Sequence, residues 1–159
     1  MAEPQLVMYE EEFVQIQGVV DRLLRDANAR VVFIVDKNGQ LIAASGDTEN
    51  LDTVGLSVLT AGNIAAMGGI ARILKEDEFA TQYHEGENAK VLARVVARHI
   101  LVVVFDTRSS LGLVQLRVKK ACETLAQIFD ALSKRQHKPS FDLHFADITD
   151  ADIDNLFNE

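Results

Sequence analysis

Charge is missing from one long stretch of this chain, and tryptophan from all of it. Residues 53–71 read TVGLSVLTAGNIAAMGGIA, nineteen positions without an acid or a base. Cysteine occurs once, at Cys122, which excludes an intramolecular disulfide. Basic residues are in deficit: 16 Lys and Arg stand against 24 Asp and Glu, a net charge of -8. That balance argues against general nucleic-acid binding and against attraction to anionic membranes. No charged-then-apolar leader opens the chain, whose first helical stretch starts instead on Glu10, Glu11 and Glu12. A cytoplasmic location is therefore the default expectation.

Recognisable chemistry is scarce as well. The Gly-rich run 61–69 lacks the Lys-Ser/Thr that completes a phosphate loop, and no GxGxxG follows a strand. His84, His99, His137 and His144 have no metal-ligand spacing with Cys122 or with one another. His84 and His99 fall in predicted strands and read as structural residues; Cys122 falls on an apolar helix stripe and reads as a buried thiol. The loop Asp106-Thr107-Arg108-Ser109-Ser110 has groups for a small anion, but its position between a strand and a helix is explained by connection and capping. No catalytic residue, cofactor or metal site is expected.

What is present is a regular alternation of periodic segments. Residues 9–27 repeat apolar side chains at helical spacing. VVFIVD at 31–36 and residues 40–45 form a hairpin around Lys37-Asn38-Gly39, whose Asn-Gly pair accepts positive φ. Residues 79–84, 90–96 and 99–105 supply three more strands, of which HILVVVF should be central and covered on both faces. Residues 111–133 close with a helix. The predicted class is α/β (α+β), in the order α-β-β-α-β-β-β-α, with a five-stranded antiparallel sheet between helices.

The uncharged run is the most telling segment. Wound as a helix, it places Leu56, Leu59, Ala66, Met67, Ile70 and Leu74 on one stripe, the predicted core face. Ala61, Ala65, Gly68 and Gly69 fall opposite, where an ordinary surface helix carries Lys and Glu. Each interior Gly costs roughly 1 kcal/mol relative to Ala, so close approach of another surface is the expected compensation. The small face is thus a candidate docking surface; the alternative is a helix buried on both sides in its own domain. Asn63, Ser57 and the two-faced pattern argue against membrane insertion.

The end of the chain changes composition. We divide it into a domain at 1–134, a linker at 135–147 and an acidic helical segment at 148–159. Between Phe141 and Glu159 there are six acidic residues and no Lys or Arg. Thr149 and Asp152 match a capping pair, and Ile153, Leu156 and Phe157 share a helical face. Such a segment suits folding into a partner's groove; packing on its own domain, or a merely solubilising role, is the alternative.

Taken together, VVFIVDKNGQLIAASG, TAGNIAAMGGIARIL, LVMYEEEF, EFATQYHEG, FDTRSSLGLVQLRVKKA and DITDADIDNLF resemble the Roadblock/LC7 family, and within it the bacterial MglB-type members. The resemblance implies a homodimer with sheets joined edge to edge and the small-faced helices side by side. It implies a docked MglA-type Ras-like GTPase, one per dimer, whose GTP hydrolysis is accelerated in the control of cell polarity and motility, with recruitment to a cell pole. Ala65 and Gly69 match the family's docking positions, and Ile153, Leu156 and Phe157 would contact the GTPase. General GTPase chemistry nominates Arg72, at the edge of the small face, as an arginine finger. The resemblance implies instead that the GTPase's own residues are shifted into place and that Arg72 is a rim contact. The competing readings are a Roadblock-type scaffold that only dimerises and links other proteins, and a small-ligand sensor or enzyme using the Asp106–Ser110 loop.

Overall fold

The computed structural model describes residues 9–137. Helix α1 (Glu10–Asp26) is followed by β1 (Val31–Asp36), β2 (Leu41–Gly46), α2 (Thr53–Ile73), β3 (Thr81–Glu85), β4 (Lys90–Val96), β5 (His99–Phe105) and α3 (Leu111–His137). The strands form one antiparallel sheet in the order β2-β1-β5-β4-β3. The predicted order and sheet hold. The difference lies at the end of α3, which runs on to His137, so the first residues assigned to the linker belong to the helix. Arg135 gives the reason. Its Nη1 lies 2.8 Å from Glu12 Oε1 and its guanidinium sits 4.2 Å from the centroid of the Tyr9 ring, which fastens the last turn to α1.

Alternation along each strand divides the sheet into two apolar faces. Val32, Ile34, Ala43, Leu92, Leu101, Val103 and Phe105 face α1 and α3, which cover them with Ile16, Val20, Leu23, Val114, Val118, Leu125 and Leu132. Val31, Phe33, Val35, Ala93, Ile100 and Val102 face the other way, where α2 contributes Ile64 alone to the fully buried cluster. Three layers result, with α2 the sole helix on its side among the described residues and Val91, Val95 and Val104 only half-covered. Cys122 is buried against the α1/α3 side, where burial pushes its thiol up to about 11, as expected of an inert structural thiol.

The first hairpin turns more economically than Asn-Gly alone predicts. Only Gly39 takes positive φ (+90°), while the Asp36 carboxylate accepts from the backbone N–H groups of Asn38 and Gln40, both at 2.9 Å. The register slips between Ile34 and Val35, a bulge that leaves Ile42 as the extra residue on β2. Gly39 passes against α2: a Cβ there would sit 3.2 Å from the Val58 Cα.

The strand histidines separate. His84 is exposed, contrary to a structural role. His99 is buried, stacked on Phe129 with ring centroids 4.0 Å apart, and its Nδ1 has no hydrogen-bond partner. Burial lowers its pKa from 6.5 to about 4, against a smaller opposing pull from Asp36. Between those values the unfolded chain binds a proton that the folded chain refuses, so stability is complete above about pH 6.5 and declines toward pH 4. At ~1.4 kcal/mol per pH unit, the loss between those values is on the order of 3 kcal/mol. Denaturant unfolding from pH 7 to pH 4 should show this decline, and His99→Leu should flatten it in that window.

Candidate functional site

Asp52 starts α2 by accepting the Gly55 N–H at 2.9 Å. The helix then meets the sheet through a narrow line at spacings of four and three: Ser57 (1% exposed), Ala61 (7%), Ile64 and Ala71 are buried. The Ser57 hydroxyl is satisfied by donating to the Thr53 carbonyl at 2.7 Å. Asn63 Nδ2 donates to Gln82 Oε1 at 2.8 Å, tying the helix flank to β3.

This placement corrects the face assignment. Leu59 is 72% exposed, Val54 71% and Ile73 79%, and Ala66, Ile70 and Leu74 also face outward. The predicted core stripe is thus largely the outer surface. Ala61, predicted to dock a partner, points to its own sheet, with its Cβ 3.7 Å from where a side chain on Gly39 would begin. Gly68 falls on the same line and is half-buried. Small residues sit inward because they let the helix axis come close to a sheet face already filled by Val and Phe side chains.

Ala65 and Arg72 are exposed, and Gly69 is half-buried beside them; the three lie on one flank of α2. A Cβ placed on Gly62, Gly68 or Gly69 would have no neighbour within 4 Å. Nothing among the described residues therefore requires these glycines, each of which weakens the helix by roughly 1 kcal/mol. Large exposed apolar side chains around a flank of small residues that ends at Arg72 form a patch of the kind that marks a protein interface. By length and composition (mean hydropathy 1.5) α2 is also long and apolar enough to cross a membrane; here it lies along the sheet with 22% of that apolar stretch buried.

The Asp106–Ser110 loop is internally consumed. Asp106 accepts from Arg108 through the backbone N–H (3.0 Å), Nε (3.1 Å) and Nη2 (3.1 Å), and these bonds hold its carboxyl below the usual range. Ser109 donates to the Ala27 carbonyl, and Ser110 Oγ accepts the Leu113 N–H at 3.2 Å, starting α3. Connection and capping explain the loop. No group of three or more His, Cys, Asp or Glu side chains among the described residues is placed to hold a metal ion. Ile153, Leu156 and Phe157 lie outside the described residues.

A three-layer domain with a lone apolar helix over one sheet face is the architecture of a known class of small regulatory domains. The Roadblock/LC7 domain model matches residues 15–106, and the chain belongs to that family. Within it the chain is MglB-like. It is 58% identical to Myxococcus xanthus MglB, with 80% of this chain and 96% of that one covered and a TM-score of 0.76. It is 32% identical to the gliding protein MglB of Thermus thermophilus, covering 80% and 97% of the two chains (TM-score 0.74). A third structure, an MglB with a tetrameric arrangement, is 30% identical, with 82% and 99% covered (TM-score 0.76).

The two sides of α2 should respond differently to a long charged side chain. Ala61→Arg should cost at least about 2–4 kcal/mol, because it overpacks the sheet contact and buries a charge. Ala65→Arg and Gly69→Arg should leave thermal unfolding within about 1 kcal/mol of the wild type, as exposed substitutions do. Circular dichroism melts of the three variants measure the contrast.

Proposed function

We propose that this chain is the homodimeric activator of an MglA-type Ras-like GTPase, which docks on the outer flank of α2. The observation that carries the reading is the set of mid-helix glycines with open space above them, set among exposed Val, Leu and Ile side chains. Similarity to MglB of two bacteria supports the same partner class.

The sheet edges indicate how two copies would meet. Beside β2 lies α1, and the Ala44 carbonyl on that strand accepts the Gln17 side-chain amide at 2.9 Å. The far side of β3 pairs with no strand among the described residues. Joining β3 edges would satisfy unpaired backbone groups and bring the Asn63, Met67, Ile70 and Leu74 flanks of α2 together. The opposite flanks, with Ala65, Gly69 and Arg72, would remain for one GTPase, with Ile153, Leu156 and Phe157 as a further contact.

In this reading the activator contributes no reacting group. Its surface binds best to the GTPase conformation nearest the transition state, which raises that state's population. Arg72 is exposed, and in this reading it would make a rim contact. Control of cell polarity and motility, and recruitment from the cytoplasm to a cell pole, would follow from the GTPase's own role.

GTP hydrolysis by the MglA-type GTPase, with and without this protein, tests the proposal. Stimulation is expected; binding without stimulation would leave a dimeric scaffold. Light scattering at micromolar concentration should give a dimer, and a monomer mass would refute the joined edges. Ala65→Arg and Gly69→Arg should abolish GTPase binding while the dimer persists. Arg72→Ala should retain most of the stimulation, whereas loss of about 10³-fold or more would identify an inserted arginine.

A further inference from the structure

On the opposite side of the molecule from α2, the outer surfaces of α1 and α3 enclose a groove of about 560 Å³. That volume falls in the ~300–1,000 Å³ range of pockets that bury most of a ligand. Its apolar lining comes from Val19, Leu23, Ala121 and Ile128. Its charges are lopsided for a chain of net charge -8: Arg22, Arg117 and Lys120 against Asp26, which already pairs with Arg22 at 3.5 Å. Arg117 Nε is buried without a hydrogen-bond partner, a donor lacking an acceptor. Gly18, in the middle of α1, also lines the groove, and a Cβ there would meet nothing within 4 Å. A glycine in that position weakens α1, and no contact within the described residues calls for it.

We infer that this groove is the seat, in the GTPase-free protein, of the chain's own acidic C-terminal segment, residues 148–157. Charge complementarity favours it: the stretch from Phe141 to Glu159 carries six acids and no Lys or Arg, and would meet a groove wall rich in cations. Ile153, Leu156 and Phe157 supply apolar side chains at i, i+3 and i+4 for the apolar lining, and a nearby Asp carboxylate supplies the acceptor Arg117 lacks. Reach is sufficient. Thr124, at the middle of the groove, lies about 20 Å back from His137 at ~1.5 Å per residue. The fifteen residues 138–152 extend to roughly 50 Å. Tethering raises the effective concentration to the millimolar range, so weak intrinsic affinity suffices.

The seat itself does not depend on the GTPase reading. Where that reading holds, it adds a consequence: the segment must leave the groove before it contacts a GTPase on the α2 side, so the two positions compete.

Amide hydrogen exchange on the full-length, GTPase-free protein tests the seat. Residues 148–157 should be protected. Lys120→Glu, an exposed charge reversal, should reduce that protection roughly two- to thirtyfold. Gly18→Leu fills the groove while improving helix propensity, so it should abolish protection without loss of fold. Ile153→Asp/Leu156→Asp/Phe157→Asp in the full chain should shift the Val19 and Ala121 methyl resonances. Free-rate exchange in the wild type would overturn the inference, as would protection unchanged in both groove variants. Protection restored to the Gly18→Leu copy by mixing with wild-type copies would place the segment on a second copy and overturn the seat within one chain. Protection that appears only when the GTPase is added would assign the segment to the GTPase alone. None of these outcomes alters the hydrolysis assay, so the two proposals fail separately.

Discussion

Six register pairs join β1 to β5, from Val31↔Val104 to Asp36↔His99, and place two nearly all-apolar strands side by side in the middle of the sheet. Everything else in the domain answers to that pair. Strands so apolar on both faces cannot be left to water on either side, so helices must cover both. One face receives two helices that pack against each other and fill it. The other receives a single helix, seated through Ser57, Ala61, Ile64 and Ala71, that leaves the sheet's margins half-covered. The unequal cover makes one side a finished core and the other a surface with apolar area still to bury.

That inequality explains what could be read in the sequence and what could not. The strands were legible because VVFIVD and HILVVVF are β-branched runs of strand length, and the first hairpin because Lys37-Asn38-Gly39 offers turn chemistry. The existence of α2 was legible too. Its orientation was not. Reading the most apolar stripe as the core assumes that a chain buries its largest side chains within itself. In α2 Leu59 and Ile73 face outward while Ser57 and Ala61 face the sheet, so the rule selects the wrong side. Ala65 stays exposed after the reversal because it lies on a flank, and Ala61 does not. The glycines still pointed to a surface, since their cost does not depend on which way the helix is turned.

The α1/α3 groove was invisible for a different reason. It is made by two helices 90 and more residues apart in the chain, each with an ordinary amphipathic pattern. Arg22, Arg117 and Lys120 are inconspicuous individually, and only their meeting across Gly18 gives a cationic rim in an acidic molecule. The end of α3 was likewise set by a distant contact, that of Arg135 with Glu12 and Tyr9, which no local stop signal encodes.

The Gln17 side chain sits against one margin of the sheet. Any sheet with two bare margins is a template for endless lateral growth, each added copy presenting a fresh margin to the next. In this domain the β2 margin lies beside α1, and the Ala44 carbonyl is already engaged by an amide from the same chain. Growth by strand pairing would then have one direction only, and two copies meeting through their remaining margins would exhaust it. In such a pair this intrachain hydrogen bond, present once in each copy, would help separate a closed assembly from a fibre.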